Sequence, residues 1–342
     1  MRSDSARIIA GAGLAAVLAA SVLGGCTPAP RPGPGTSQPA PVSGAGAATE
    51  PWIPAELETV PDAYFTPAAE QGSLVELSYD TFESMTYEQK TQPLRKRAIV
   101  YLPPGYSEDR EYNVFYLMHG GWGNETTTLG TPASPGPLKN VIDHAIADGA
   151  VQPLIVVCPT YNNTSPEDSA SFSLALQLNQ NYHRELLGDL LPAVEGTYST
   201  HAEATTPEGL AASRDHRGFG GFSMGSVATW RTFQHALGYF RYFLPMSCGT
   251  SLDDGGIFAA AEGRQPGDYF VWVITGTEDF AYPYDERRVE LMRASPHFTE
   301  SDTEAGGNFA YRVKDGYAHD GRAAMEYTYN GLLRLWSHPA EE

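Results

Sequence analysis

Gly221-Phe222-Ser223-Met224-Gly225 is the one stretch of the chain that fits the pattern Gly-x-Ser-x-Gly. Glycines two places before and two places after a serine let a strand turn sharply into a helix. The hydroxyl is then lifted above the sheet, at the positive end of the helix. A serine hydroxyl is a poor nucleophile until an imidazole takes its proton, and the imidazole needs a carboxylate to hold its tautomer. The motif therefore predicts acyl transfer through Ser223, provided the chain supplies a histidine and an acid.

Where a serine sits on such a turn, the chain order is serine, acid, histidine. His235, His297, His319 and His338 follow Ser223. His235 lies about three turns along the helix that would start at the serine, and His338 is at the chain end. His297 follows Pro296 in a connection and stays a rival. His319, within Gly316-Tyr317-Ala318-His319-Asp320-Gly321, comes after an alternating strand, Phe309 to Val313, and before the last helix, so its loop can reach the serine. The strand Tyr269 to Thr275 runs into Gly276-Thr277-Glu278-Asp279, which makes Asp279 the expected acid and Glu278 its alternative. In isolation such a turn reads as solvated surface; its order and spacing to His319 favour the functional reading.

The oxyanion formed in acyl transfer needs backbone donors. The Met224 amide is one. The other comes from His119-Gly120-Gly121-Trp122-Gly123, where Gly121 is expected to donate and Trp122 is next in line. His119 is expected to pack and position this loop. Trp122, Tyr161, Phe280, Tyr282, Tyr284 and Tyr317 all follow strands. They are expected to border one crevice and to favour a flat aromatic acyl group, each contact contributing about 1 kcal/mol, with about half of them only packing the loops. No zinc or phosphate-loop motif occurs, so no metal and no cofactor is expected.

The elements that must position these residues alternate. Strands are predicted at Ala98 to Leu102, Asn113 to Met118, Leu154 to Cys158, Phe219 to Phe222 and Tyr242 to Met246, besides the two named above. Helices are predicted at Leu138 to Ile146, Asn181 to Tyr198, Met224 to Leu237 and Arg322 to Trp336, with a polar surface loop before His216. Alternation of this kind implies an α/β fold with a mostly parallel sheet covered on both faces, its ligand crevice beyond the carboxyl ends of the strands. In the usual strand order of this fold the strands ending at Cys158 and near Cys248 are separated by two others, roughly 14 Å, too far for a disulfide.

The ends carry a different message. Arg2 and Arg7 precede an apolar run, Ile8 to Leu23, that is short for a membrane span and resembles an export signal. It closes on Leu23-Gly24-Gly25-Cys26, similar to the lipobox of bacterial lipoproteins, in which the cysteine is acylated. Residues 1–25 are thus expected to be a lipoprotein signal, 26–54 a Pro/Gly/Ala-rich tether and 55–338 one catalytic domain. The domain would sit outside the cell, on the outer face of the membrane and held there only by the lipid on Cys26. A net charge of −19 with scattered basic residues gives no footprint for nucleic acid.

Taken together, Tyr101-Leu102-Pro103-Pro104-Gly105-Tyr106, Tyr112 to Gly121, Gly221 to Gly225, Gly276 to Asp279 and His319-Asp320 resemble the feruloyl and acetylxylan esterases related to esterase D. The resemblance spans the whole globular part. It implies the α/β-hydrolase fold, a triad at Ser223, Asp279 and His319, and hydrolysis of hydroxycinnamoyl or acetyl esters of xylan or its oligosaccharides. An acyltransferase or siderophore esterase would use the same triad. A non-catalytic surface lipoprotein would not need an intact serine, acid and histidine in this order.

Overall fold

The computed structural model describes residues 52–336 apart from Pro266. The expected signal, the lipobox Cys26 and nearly all of the tether lie outside the described residues. Its last residues do not: Trp52 and Ile53 are buried, the Trp52 indole donates to Arg334 O at 2.7 Å, and Ile53 N–H donates to Asp302 O at 2.9 Å. The folded part therefore takes in residues ahead of the boundary expected at Ala55, because an indole and an isoleucine gain more by entering the core than a tether gains by staying free.

Among the described residues ten strands occur in chain order: Ser73–Phe82 (β1), Pro93–Leu102 (β2), Asn113–Met118 (β3), Gly130–Thr131 (β4), Ser134–Pro135 (β5), Leu154–Cys158 (β6), Arg217–Phe222 (β7), Tyr242–Met246 (β8), Phe270–Gly276 (β9) and Phe309–Lys314 (β10). β4 and β5 form a separate hairpin. The other eight make one sheet in the order β1-β2-β6-β3-β7-β8-β9-β10, antiparallel for β1/β2 and β2/β6 and parallel elsewhere. β1 carries no apolar run because its buried residues alternate with Glu76, Ser78 and Asp80. Along β3, Val114, Tyr116 and Met118 enter one core while Phe115 and Leu117 enter the other, the two-residue alternation of a sheet covered on both faces.

The helices are Pro137–Ala147 (α1), Phe172–Glu185 (α2), Leu191–Glu195 (α3), Pro207–Ala212 (α4), Met224–Ala236 (α5), Asp254–Ala260 (α6), Tyr282–Ala294 (α7) and Gly321–Arg334 (α8). One core packs residues of α2, α5, α6 and α7 against the sheet; the other packs α1, α8 and the segment from Trp52 to Tyr64. The helix expected from Asn181 begins earlier, at Phe172, and is broken by a π-helical turn at Leu186–Leu190 where Gly188 lies under the Tyr87 hydroxyl. The polar stretch before His216 is more than a loop: Thr206 caps α4, and its Leu210 is buried. Cys158 and Cys248 are both free and buried: Cys158 ends β6, Cys248 follows β8 by two residues, and β3 and β7 lie between those strands.

Candidate active site

Ser223 follows β7 directly, and its backbone adopts φ 61° and ψ −117°, a strained conformation for a residue with a side chain. The strain is held by Ser223 N–H donating to Met246 O at 2.9 Å and by α5 starting at the next residue. The flanking glycines are required by close packing. A Cβ on Gly221 would come within 2.6 Å of the Gly225 carbonyl carbon, and one on Gly225 within 2.3 Å of Met118 O.

Asp279 and His319 come from neighbouring loops after β9 and β10, and these loops are zipped together. Thr277 N–H donates to Lys314 O and Glu278 N–H to Tyr317 O, both at 3.1 Å, while a Cβ on Gly276 would lie 2.2 Å from Tyr317 O. The zip sets His319 Nδ1 at 2.8 and 2.9 Å from the Asp279 carboxylate oxygens. Asp279 is buried, which raises its pKa. The His319 contact and the Ala281 N–H, 2.7 Å from Oδ1, outweigh this and leave the acid below the usual carboxylate range. Glu278, the alternative, is exposed. The imidazole is flanked by the rings of Phe222 at 4.5 Å and Phe280 at 4.3 Å.

Ser223 and His319 line one cavity of about 420 Å³, with no hydrogen bond between them in this arrangement, a contact that often closes only on substrate. Its walls include Leu138, Met246, Ala324 and Met325 and the loop His119 to Trp122. A Cβ on Gly120 would stand 3.5 Å from Ser223 Cβ, so this loop abuts the serine. Trp122 N–H is taken by Ser169 O at 3.0 Å, whereas the N–H groups of Gly121 and of Met224, the first residue of α5, have no partner among the described residues. Of the two, Trp122 is engaged and Gly121 is left free among the described residues.

Of the expected aromatics, Trp122 lines the cavity and is 79% exposed at its rim, and Phe280 stands beside His319. The others are corrected. Tyr161 is buried behind the glycine loop and donates to Gly120 O at 3.1 Å. Tyr317 turns away, its hydroxyl on Glu326 Oε2 at 2.5 Å. Tyr282 and Tyr284 belong to the first turn of α7, outside the cavity lining. Following a strand places a residue near the crevice but does not decide which way its ring points. The walls from α1 and α8 carry no signal in the sequence, where Leu138, Ala324 and Met325 read as ordinary helix-packing residues.

The esterase family model matches residues 93–280, more than half of the chain. The chain belongs to the esterase family. The esterase is 38% identical over 285 residues to endo-1,4-beta-xylanase Y of Acetivibrio thermocellus, covering 81% of this chain and 24% of that protein. It is 26% identical over 184 residues to an endo-1,4-beta-xylanase/feruloyl esterase of Xylanibacter ruminicola, covering 52% of this chain and 23% of that one. The chain thus spans about a quarter of the length of the curated relatives it matches. Among solved structures, a mutant of the feruloyl esterase module from Clostridium thermocellum, complexed with sinapinate, is 35% identical with a TM-score of 0.71, covering 84% of the esterase and 97% of that chain. A ferulic acid esterase from Anaeromyces mucronatus in complex with ferulic acid shares the fold at 18% identity and a TM-score of 0.59, covering 81% of the esterase and 96% of that chain.

Proposed function

We propose that the esterase hydrolyses hydroxycinnamoyl esters, feruloyl above all, or acetyl esters carried by xylan or its oligosaccharides, through Ser223, His319 and Asp279. The observation that carries this reading is the His319–Asp279 pair, with His319 and Ser223 lining one largely apolar cavity and the Gly121 and Met224 N–H groups unpartnered among the described residues. Ser223 Oγ attacks the ester carbon as its proton passes to His319 Nε2, and Asp279 holds the Nδ1–H and stabilises the imidazolium. The oxyanion accepts from Gly121 and Met224. Collapse of the tetrahedral species breaks the bond to the sugar oxygen, which leaves with the proton from His319. Water, activated by the same histidine, then cleaves the acyl-enzyme and regenerates Ser223.

The apolar walls suit a flat aromatic acyl group better than an acetyl group, and the relatives include proteins named for feruloyl ester hydrolysis. Rates on methyl ferulate, acetylated xylan and p-nitrophenyl acetate, taken side by side, test the acyl preference. A kcat/KM on methyl ferulate roughly 10-fold or more above an acetyl ester of similar leaving group is expected. Equal or better turnover of the acetyl ester would leave an acetyl esterase on the same residues. The lipid tether on Cys26 is a separate proposal, resting on the lipobox alone; acyl labelling that survives Cys26→Ala would reject it.

A further inference from the structure

The peptide joining Gly120 to Gly121 is gripped from one side. Its carbonyl oxygen accepts from His119 Nδ1–H at 2.7 Å and from the Tyr161 hydroxyl at 3.1 Å. A carbonyl can only accept, so His119 carries its proton on Nδ1, and its Nε2 accepts from Thr160 Oγ1 at 2.7 Å. The Tyr161 and His119 rings stack at 4.5 Å, and both residues are buried. In a planar trans peptide the carbonyl and the following N–H point in opposite directions. Two donors on the Gly120 oxygen therefore aim the Gly121 N–H away from them, and Gly121 itself lines the cavity. One residue further on, Trp122 N–H turns back to Ser169 O at 3.0 Å.

A peptide between two glycines meets little steric resistance to rotation. Rotated, it would present the negative end of its dipole to the cavity, where the oxyanion forms. We propose that Tyr161 and His119 are positioning residues that clamp this peptide, so that the Gly121 N–H is oriented for the oxyanion before the ester arrives; this rests on the serine esterase reading above. A donor oriented in advance costs no reorganisation when charge develops.

Phenylboronic acid and ferulamide separate this role from simple packing. In the boronate adduct the boron takes Ser223 Oγ as its fourth ligand, the serine proton passes to His319, and the resulting tetrahedral anion occupies the oxyanion site. Ferulamide stays planar and probes the cavity alone. Tyr161→Phe keeps the ring and removes only the hydroxyl. It should lower kcat on methyl ferulate and weaken phenylboronic acid by roughly 10-fold each, with ferulamide affinity held within about two-fold. His119→Asn, which offers an N–H near the Nδ1 position, should retain more activity than His119→Ala. Full activity in Tyr161→Phe, or parallel losses of boronate and ferulamide binding, would overturn the clamp while leaving the esterase reading intact. A wild-type enzyme inert toward methyl ferulate and p-nitrophenyl acetate, and blind to the boronate, would remove both.

Discussion

His319 Nδ1 stands within 2.9 Å of both carboxylate oxygens of Asp279, while Glu278, one residue earlier, is exposed. The two neighbours are therefore chemically separable. Asp279→Asn should lower kcat by roughly three orders of magnitude or more through loss of the imidazole tautomer. Glu278→Gln should stay within about two-fold of wild type, since an exposed side chain away from the imidazole contributes little. Steady-state rates on one ester settle it, and the reverse ranking would move the acid by one position.

Ser223→Ala and His319→Ala are each expected to cost roughly three orders of magnitude in kcat, and the double variant little more, because the pair acts as a unit. Additive losses across the four proteins, measured on p-nitrophenyl acetate, would show two independent contributions instead.

Trp122 is 79% exposed yet holds φ 57°, a left-handed conformation that costs a non-glycine residue about 1 kcal/mol. Trp122→Gly should therefore leave the melting temperature nearly unchanged despite deleting an indole. Its kcat/KM on a feruloylated oligosaccharide should drop by roughly five-fold, the equivalent of one aromatic contact of about 1 kcal/mol. A large loss of melting temperature with unaltered kinetics would make the indole a packing residue.

Burial pushes the His119 imidazole pKa down to about 4, whereas an unfolded histidine protonates near about 6.5. Between those values the unfolded chain binds the extra proton, so stability rises with pH and is lost as pH falls from roughly 6.5 toward 4, by about 3 kcal/mol for this group. The Asp285 carboxyl, raised by burial to about 7, works in the other direction, since its protonated form is the folded one. Melting temperatures from pH 4 to 7 should fall less steeply on acidification in His119→Asn than in wild type; parallel curves would take His119 out of the acid response.

The placement of Ser223 and its flanking glycines after one strand, and of Asp279 and His319 after two others, was legible in the sequence because each belongs to a local signal. Gly221 and Gly225 are needed because a Cβ on either would come within 2.6 and 2.3 Å of neighbouring backbone, and Asp279 and His319 each follow a strand whose end the residue pattern marks. The parallel core strands were legible for a related reason: strands buried on both faces read as apolar runs. β1 was not, since its polar residues alternate with the buried ones.

What only the tertiary structure decided is direction. Trp122 and Tyr161 both follow strands, yet one indole stands at the cavity rim and the other ring lies buried behind the glycine loop with its hydroxyl on Gly120 O. The choice between Gly121 and Trp122 as free donor likewise fell to Ser169 O, which takes the Trp122 N–H from a segment far along the chain. Local spacing sets which residues arrive at the end of a strand. The orientation of a ring or a peptide is set by partners distant in sequence, and their hydrogen bonds exist only once the sheet has assembled.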